Sequence, residues 1–428
     1  LYLISNQLSA LPPEIGQLQQ LETLILGRNP FKVVPPAITQ LLKLKSLSLY
    51  EIQLTTLPSE FGQLVNLEEL DLSGNKLSDL PEVLFGFDKL RSLNLGDDSS
   101  GGNKLTRLPA FINQLRGLET LRVRSNEISF LPSEIRELEK LKSLDLSGNP
   151  IPVPPEILSK KGVEEIFTYY FQTLDPNETE PLYEAKFIIV GEGGAGKTTL
   201  AKKLLNPDYT LDSDEKSTEG IDVLRWEFDH PNGTKFRANI WDFGGQEIYH
   251  ATHQFFLTKR SLYALVVDTR QDNTDLYYWL NVVELLSDSS PVFIIKNEKQ
   301  DRQCDVNERQ LKGEFADSLE KVLAMNPATP RGLEEIKTAI QQRIVQLPHV
   351  GYALPKVWVR VRAALENYAA TRNTITVEEY CDICRTCQLT DKARMTSLSS
   401  YLHDLGVILH FHDDPVLKHT VILKPEWG

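Results

Sequence analysis

Eight consecutive residues, Gly191-Glu192-Gly193-Gly194-Ala195-Gly196-Lys197-Thr198, complete a G-x-x-x-x-G-K-[ST] motif. An apolar run over residues 185–190 leads into it, and a helical pattern opens at Lys197, Thr198 and Thr199. Strand, glycine loop and helix in that order form a cradle for a nucleoside triphosphate. Loop N–H groups and the new helix's N-terminus point at the phosphates. Glycine allows close backbone approach, since no Cβ intervenes. The spacing sends the Lys197 ammonium to the β- and γ-phosphates and the Thr198 hydroxyl to Mg2+.

Farther along, Trp241-Asp242-Phe243-Gly244-Gly245-Gln246-Glu247 ends another apolar run. D-x-x-G-Q is the pattern of Ras-like GTPases. The resemblance implies that Asp242 holds Mg2+ through water and that the Gly245 N–H bonds the γ-phosphate. It also implies that Gln246 orients the attacking water. The polar, aperiodic stretch 213–222 between the two motifs suits a switch loop, with Thr218 as the second hydroxyl on Mg2+ and Ser217 as its competing neighbour.

Base selection is expected after the fifth strand, where guanine proteins carry N-K-x-D. The chain reads Asn297-Glu298-Lys299-Gln300-Asp301. Lys299 and Asp301 keep the K-x-D half: a lysine stem on the base plane and a carboxylate accepting from the guanine N1–H and amino group. Asn297 is then displaced by one residue, with Glu298 at the expected asparagine place. A backbone N–H near Ala328 stands for the last guanine motif. Arg225, Arg260 and Arg270 are candidates for an arginine near the γ-phosphate, as is a residue from a partner.

These motifs need a sheet to hold them. Strand-like runs at 186–190, 223–228, 236–241, 262–268 and 292–295 alternate with helical patterns, which argues for a mainly parallel sheet with ligand at the carboxyl ends.

The first third is a different architecture. Leucines recur every 23 residues at Leu21, Leu44, Leu67 and Leu90, and again at Leu118 and Leu141. The unit L-x-x-L-x-L-x-x-N-x-L is that of leucine-rich repeats. Asn6, Asn29, Asn75, Asn126 and Asn149 form a ladder for backbone groups of adjacent turns. Ile52 interrupts it, and residues 97–102 form an extra loop. Proline at each corner opens a helical turn. Outward strand positions (Ile25, Ser48, Asp71, Asn94, Arg122, Asp145) make a concave face that either binds a protein or is a solvated scaffold. An aromatic-rich helix over 160–174 caps the array, and 175–181 reads as a polar linker.

Composition bounds the rest. At 428 residues, two to four domains of ~150 residues each are expected. A net charge of −13 argues against a nucleic-acid partner. Four cysteines are too few for a disulfide framework and point to a reducing, cytoplasmic setting. No apolar stretch reaches the ~20 residues of a membrane span.

Repeats, then a Ras-like domain, then a segment after Pro348 resemble the Roco proteins, in which a Roc GTPase is followed directly by a COR domain. Glu378-Glu379-Tyr380, residues 401–410 and Leu423-Lys424-Pro425-Glu426-Trp427 look like COR stretches. The resemblance implies a multidomain α/β fold: repeats over 1–155, capping helix and linker over 156–184, Roc over 185–347, and the start of a winged-helix-like COR over 348–428. It implies GTP hydrolysis to GDP and phosphate with Mg2+, and nucleotide state coupled to homodimerisation through COR. A fragment of COR would leave this chain monomeric. Gln246, intact where the human leucine-rich-repeat kinases differ, looks like a bacterial trait. In the tail, 357–368 and 377–387 read as amphipathic helices and 406–411 as a strand.

Cys381, Cys384 and Cys387 invite a metal, with His403, His410 or His412 as a fourth ligand. Their i, i+3, i+6 spacing on a helix drifts around the axis and suits buried small side chains instead. Two other functions compete with a GTP switch: a STAND-type ATPase receptor, and a nucleotide-binding scaffold with negligible turnover.

Overall fold

The computed structural model describes the chain except residues 97–101, 159–161, 211–219, 244–259, 270–275, 288–289, 299–306, 317, 413 and 428. Two units result, Leu1–Asp175 and Pro176–Gly428.

In the first unit every repeat contributes one three-residue strand: β1 (Thr23–Ile25), β2 (Ser46–Ser48), β3 (Glu69–Asp71), β4 (Ser92–Asn94), β5 (Thr120–Arg122) and β6 (Ser143–Asp145). They form one parallel sheet in chain order. The central leucines (Leu24, Leu47, Leu70, Leu93, Leu121, Leu144) are buried in register, so each unit covers its neighbour's core. A five-residue 3-10 helix follows each corner, entered from Pro12, Pro35, Pro58, Pro81, Pro109 or Pro132. Proline's fixed φ and missing N–H cost little there.

The asparagine ladder continues past Asn75, where the 23-residue spacing leaves a gap. Asn29 Oδ1 accepts from the Asn6 and Leu8 N–H groups, and Asn75 Oδ1 from those of Ile52 and Leu54. In the fourth unit Asn103 takes the rung, accepting from Leu77 N–H and donating to the Leu72 and Leu95 carbonyls. The inserted segment moves this asparagine out of the repeat register, which hides it from a periodic reading. At the end of the array lie α1 (Pro155–Leu158) and α2 (Val163–Thr173). The Tyr170 hydroxyl accepts from the Leu131 N–H at 2.9 Å, tying the cap to the last repeats.

The second unit opens with β7 (Thr179–Pro181), inside the stretch expected to be a linker. Then come β8 (Glu184–Val190), α3 (Lys197–Leu205), β9 (Ile221–Asp229), β10 (Lys235–Phe243), β11 (Ser261–Asp268), α4 (Leu276–Ser287), β12 (Val292–Asn297), α5 (Glu308–Glu314), β13 (Leu319–Met325) and α6 (Leu333–Ile344). The sheet order is β13-β12-β11-β8-β10-β9, parallel except for β9, which runs antiparallel to β10. The sixth strand, β13, is absent from the sequence expectation because Glu320 and Lys321 interrupt its apolar run. All residues of β8 and β11 are buried, as a strand covered on both faces requires. One face packs Phe187, Ile189 and Ala264 against Leu200, Leu204, Ile336 and Ile340; the other packs Ile188, Tyr263 and Leu265 against Trp279, Val283 and Leu311.

The tail adds β14 (Ala353–Pro355), α7 (Lys356–Ala369), β15 (Thr374–Thr376), α8 (Val377–Thr386), α9 (Lys392–Asp404) and β16 (Thr420–Ile422). β14 pairs antiparallel with β7, and β15 with β16. A capping box between Thr376 and Glu379 starts α8. The strand expected over 406–411 is reduced to a single bridge, Leu409 to Ile422. Gly406, with φ of 71°, turns the chain there instead. Leu409 and Ile422 join the second core layer, so the tail packs into the nucleotide-fold sheet. Among the described residues no helix is long and apolar enough to cross a membrane.

Candidate functional site

Between the end of β8 and the start of α3, residues 191–196 make a turn that only glycine-rich sequence allows. Gly191, Gly194 and Gly196 have φ of 140°, 75° and 99°. A Cβ on Gly191 would overlap the Val266 carbonyl oxygen. No side chain caps the first turn of α3 at Gly196, the arrangement in which helix N–H groups receive an anion. Lys197 folds back over the loop, its Nζ donating to the Gly191 and Glu192 carbonyls, each at 2.9 Å. Burial pushes the Lys197 ammonium down to about 8, with the Asp242 and Glu192 carboxylates opposing. Thr198 is half-buried and Thr199 buried on the same turn.

Asp242 is fully buried near the end of β10, in register with Ile189 of β8, beside the loop. The Thr198 hydroxyl and the Asp242 carboxylate are hard oxygen donors of the kind Mg2+ takes.

On the base side, Asn297 ends β12 fully buried, and its Nδ2 donates to the Ala195 carbonyl at 2.6 Å. Thr269 Oγ1 donates to the Asn297 carbonyl at 3.0 Å. Linear spacing assigns the asparagine position to Glu298; the structure turns Asn297 to the glycine loop and Glu298 away to Arg331, 2.6 Å distant. Spacing alone does not reveal this, because it depends on which residue ends the strand. The Ala328 N–H, expected as a donor to the base, is engaged by Asn326 Oδ1 at 2.9 Å in a local turn. Thr218, Gly245, Gln246, Lys299 and Asp301 lie outside the described residues, as do Ser217 and Arg270.

Two arginine candidates sit at the wrong edge. Arg260 immediately precedes Ser261, which pairs with Lys186 at the start of β8. That point is about 16 Å from Gly191 at ~3.3 Å per residue. Arg260 lies instead 5.4 Å from the Tyr401 ring of the tail. Arg225 lines a cavity of about 290 Å³ with Glu184, Arg362 and Lys424, again remote from the loop.

In the cysteine run, Cys384 is buried while Cys381 and Cys387 are partly exposed. Burial pushes the Cys384 thiol up to about 12, against the thiolate a metal needs. His410 contacts Ser399 Oγ and the Lys418 carbonyl through its two ring nitrogens.

A glycine loop at the carboxyl edge of a mainly parallel sheet, with a buried aspartate on the neighbouring strand, defines a Ras-like nucleotide-binding domain. Models of known families match this chain as "Ras of Complex, Roc, domain of DAPkinase" over residues 186–301, "C-terminal of Roc, COR-A domain" over 355–428, and leucine-rich repeats over 1–96 and 140–160. The chain belongs to the Roco family, whose members join a Roc domain to a COR domain. The solved structure of Methanosarcina barkeri Roco2 RocCORdC bound to GDP is 38% identical, with a TM-score of 0.53, covering 60% of this chain and 77% of that one. A prokaryotic Roc-COR-CHAT protease is 29% identical over 357 residues, 76% of this chain and 31% of its own length. The probable serine/threonine-protein kinase pats1 of Dictyostelium discoideum is 28% identical over 301 residues, 64% of this chain and 9% of that protein. The chain thus spans less than a third of the length of these two curated relatives.

Proposed function

We propose that this chain binds GTP and GDP, hydrolyses GTP to GDP and phosphate, and changes state with the nucleotide. The observation that carries this reading is the Lys197 ammonium held over the glycine loop, with Asp242 buried beside it. The Roc match and the GDP bound by the 38% identical Roco2 protein support guanine as the base.

Loop N–H groups from Glu192 to Thr198 take the β-phosphate, and Lys197 bridges the β- and γ-phosphates, exchanging its two carbonyl partners for them. Thr198, Thr218 and Asp242 would hold Mg2+, which neutralises phosphate charge when bound. The Gly245 N–H senses the γ-phosphate, and Gln246 orients the attacking water. With Arg225 and Arg260 remote, the arginine that speeds hydrolysis is Arg270 or comes from a partner. Lys299 and Asp301 read the base beside Asn297. In the full-length protein, COR pairs two copies and the repeats bind a protein partner, in the cytoplasm.

Calorimetry with GDP, GTP and ADP tests the reading: micromolar or tighter guanine nucleotide with weaker ADP is expected. Tight ADP binding would favour the STAND-type alternative. Single-turnover hydrolysis by the parent and Gln246→Ala separates an enzyme from a scaffold, since equal and negligible rates would leave only binding.

A further inference from the structure

Antiparallel pairing of β9 with β10 sets Val223 opposite Trp241, Arg225 opposite Asn239 and Glu227 opposite Arg237, all on one face of the sheet. At Trp241 this face belongs to the second core layer. Toward Arg225 and Arg237 it turns polar, and the tail covers it there without filling it. The cavity of about 290 Å³ left between them is lined by Glu184, Arg225, Arg237 and Asn239 from the sheet. From the tail come Arg362, Glu366 and Lys424.

The two inner carboxylates are already neutralised. Glu184, its side chain 3% exposed, takes Arg362 Nη2 at 2.5 Å and Asn239 Nδ2 at 2.6 Å. Glu366 takes Arg237 Nη1 at 3.2 Å and Arg362 Nη2 at 3.5 Å. Two cations are left over. Among the described residues neither Arg225 nor Lys424 has a carboxylate in ion-pair reach, and the third lining carboxylate, Glu426, is exposed. Arg362 Nε and Nη1 likewise meet no acceptor among the described residues, on a side chain only 12% exposed. Donors buried in this way cost free energy until an acceptor arrives. Lys424 is held in place, since its N–H and that of Leu423 both donate to the Asn373 carbonyl. The rest of the lining is largely apolar, with Leu365, Val407, Ile408 and Leu423.

We infer that this cavity is a second binding site, for a small organic phosphate, separate from the glycine loop. Arg225, Lys424 and the open Arg362 donors take the phosphoryl group, and the apolar lining takes the body of the molecule. Guanidinium donors match phosphate oxygens in pairs. Three cationic groups suit the charge of about −1.5 to −2 on a phosphate monoester better than the single charge of a carboxylate. A few charged groups set in an apolar lining, with a volume near the ~300 Å³ lower end for ligand pockets, is the make-up of a small-molecule site. A ligand there touches β9, α7 and the segment after β16 together, so it ties the tail to the sheet.

Phenyl phosphate titrated into the full chain, with GDP and Mg2+ in excess to keep the glycine loop filled, tests this by calorimetry. Saturable binding is expected, weakened about tenfold by Arg225→Ala and again by Lys424→Ala. Arg225→Gln replaces the alanine variant if that one melts early. Lys312→Ala, on α5 outside the cavity, should bind as the parent does. Inorganic phosphate should bind more weakly, because it leaves the apolar lining uncovered, and benzoate more weakly for its single charge. The inference is overturned if phenyl phosphate does not saturate, or if the two cavity variants match the parent. It is also overturned if Lys312→Ala weakens binding as much, or if inorganic phosphate or benzoate binds as tightly. A parent that takes up no GDP would sink the nucleotide reading, while the contrast between cavity variants and parent would still decide this one.

Discussion

Gly406 of the tail lies against Trp241, so closely that a Cβ on the glycine would sit 2.6 Å from the indole Cζ2. Trp241 directly precedes Asp242, so the COR segment touches the strand end that carries the proposed Mg2+ ligand. Gly406→Ala would meet both this overlap and a φ of 71°. Overpacking and left-handed strain together predict a loss of about 2–4 kcal/mol. Denaturant unfolding checks it, and an unchanged midpoint would show that the contact yields freely.

Lys186 approaches the same indole from another side, its Nζ 3.8 Å from the ring centroid. Burial pushes this ammonium down to about 7, with the Asp404 carboxylate opposing. The unfolded chain therefore holds more protons between pH 7 and the ordinary lysine value near 10.5, and stability rises with pH across that window. Each pH unit contributes at most about 1.4 kcal/mol from this group. Lys186→Met should flatten the slope between pH 7 and 8, below the range where Lys197 adds its own. Urea midpoints measured at both pH values, parent beside variant, decide this.

Asn103 makes three buried hydrogen bonds to the backbone of two adjacent repeats. The Leu72 and Leu95 carbonyls are shared with Asn75 and Asn126, whereas the Leu77 N–H depends on the Asn103 side chain. Asn103→Ala strips that buried donor of its partner and weakens both carbonyls, predicting a loss of about 1–3 kcal/mol in the repeat unit. Amide exchange should quicken most at Leu77. Protection equal to the parent's would mean the rung is dispensable.

Asp301→Asn separates two frames for base recognition. If Asp301 accepts from the guanine amino group and N1–H, the amide should weaken GDP by at least about 100-fold, since buried groups are left mismatched. Xanthosine diphosphate, with an acceptor in place of the amino group, should bind the variant better than the parent. Equal GDP affinity in both proteins would assign the acceptor role to another residue.

Much of the fold is legible in the sequence because the patterns are periodic or local. A 23-residue repeat specifies stacked units, since each must cover the next one's leucines. Gly191 to Thr198 specifies a phosphate loop, since glycine conformations and a helix start are local matters. Expectation and structure part where an insertion or a strand end shifts the count. Asn103 leaves the repeat register behind residues 97–101. By count Glu298 holds the asparagine place, yet it is Asn297 whose side chain bonds the Ala195 carbonyl of the glycine loop. A single bridge replaces the strand over 406–411 because Gly406 turns against Trp241, a tryptophan distant in sequence.

By itself, then, the chain's order of residues determined the repeat solenoid, the phosphate loop and the class of domain around it. These follow from backbone freedom and side-chain periodicity, which act over a few residues. Only the tertiary structure decided that Arg225 and Arg260 lie at the far edge of the sheet. It alone paired Glu298 with Arg331 and set the tail against Trp241. Each of those depends on which strands become neighbours, and that is settled by packing across the whole sheet.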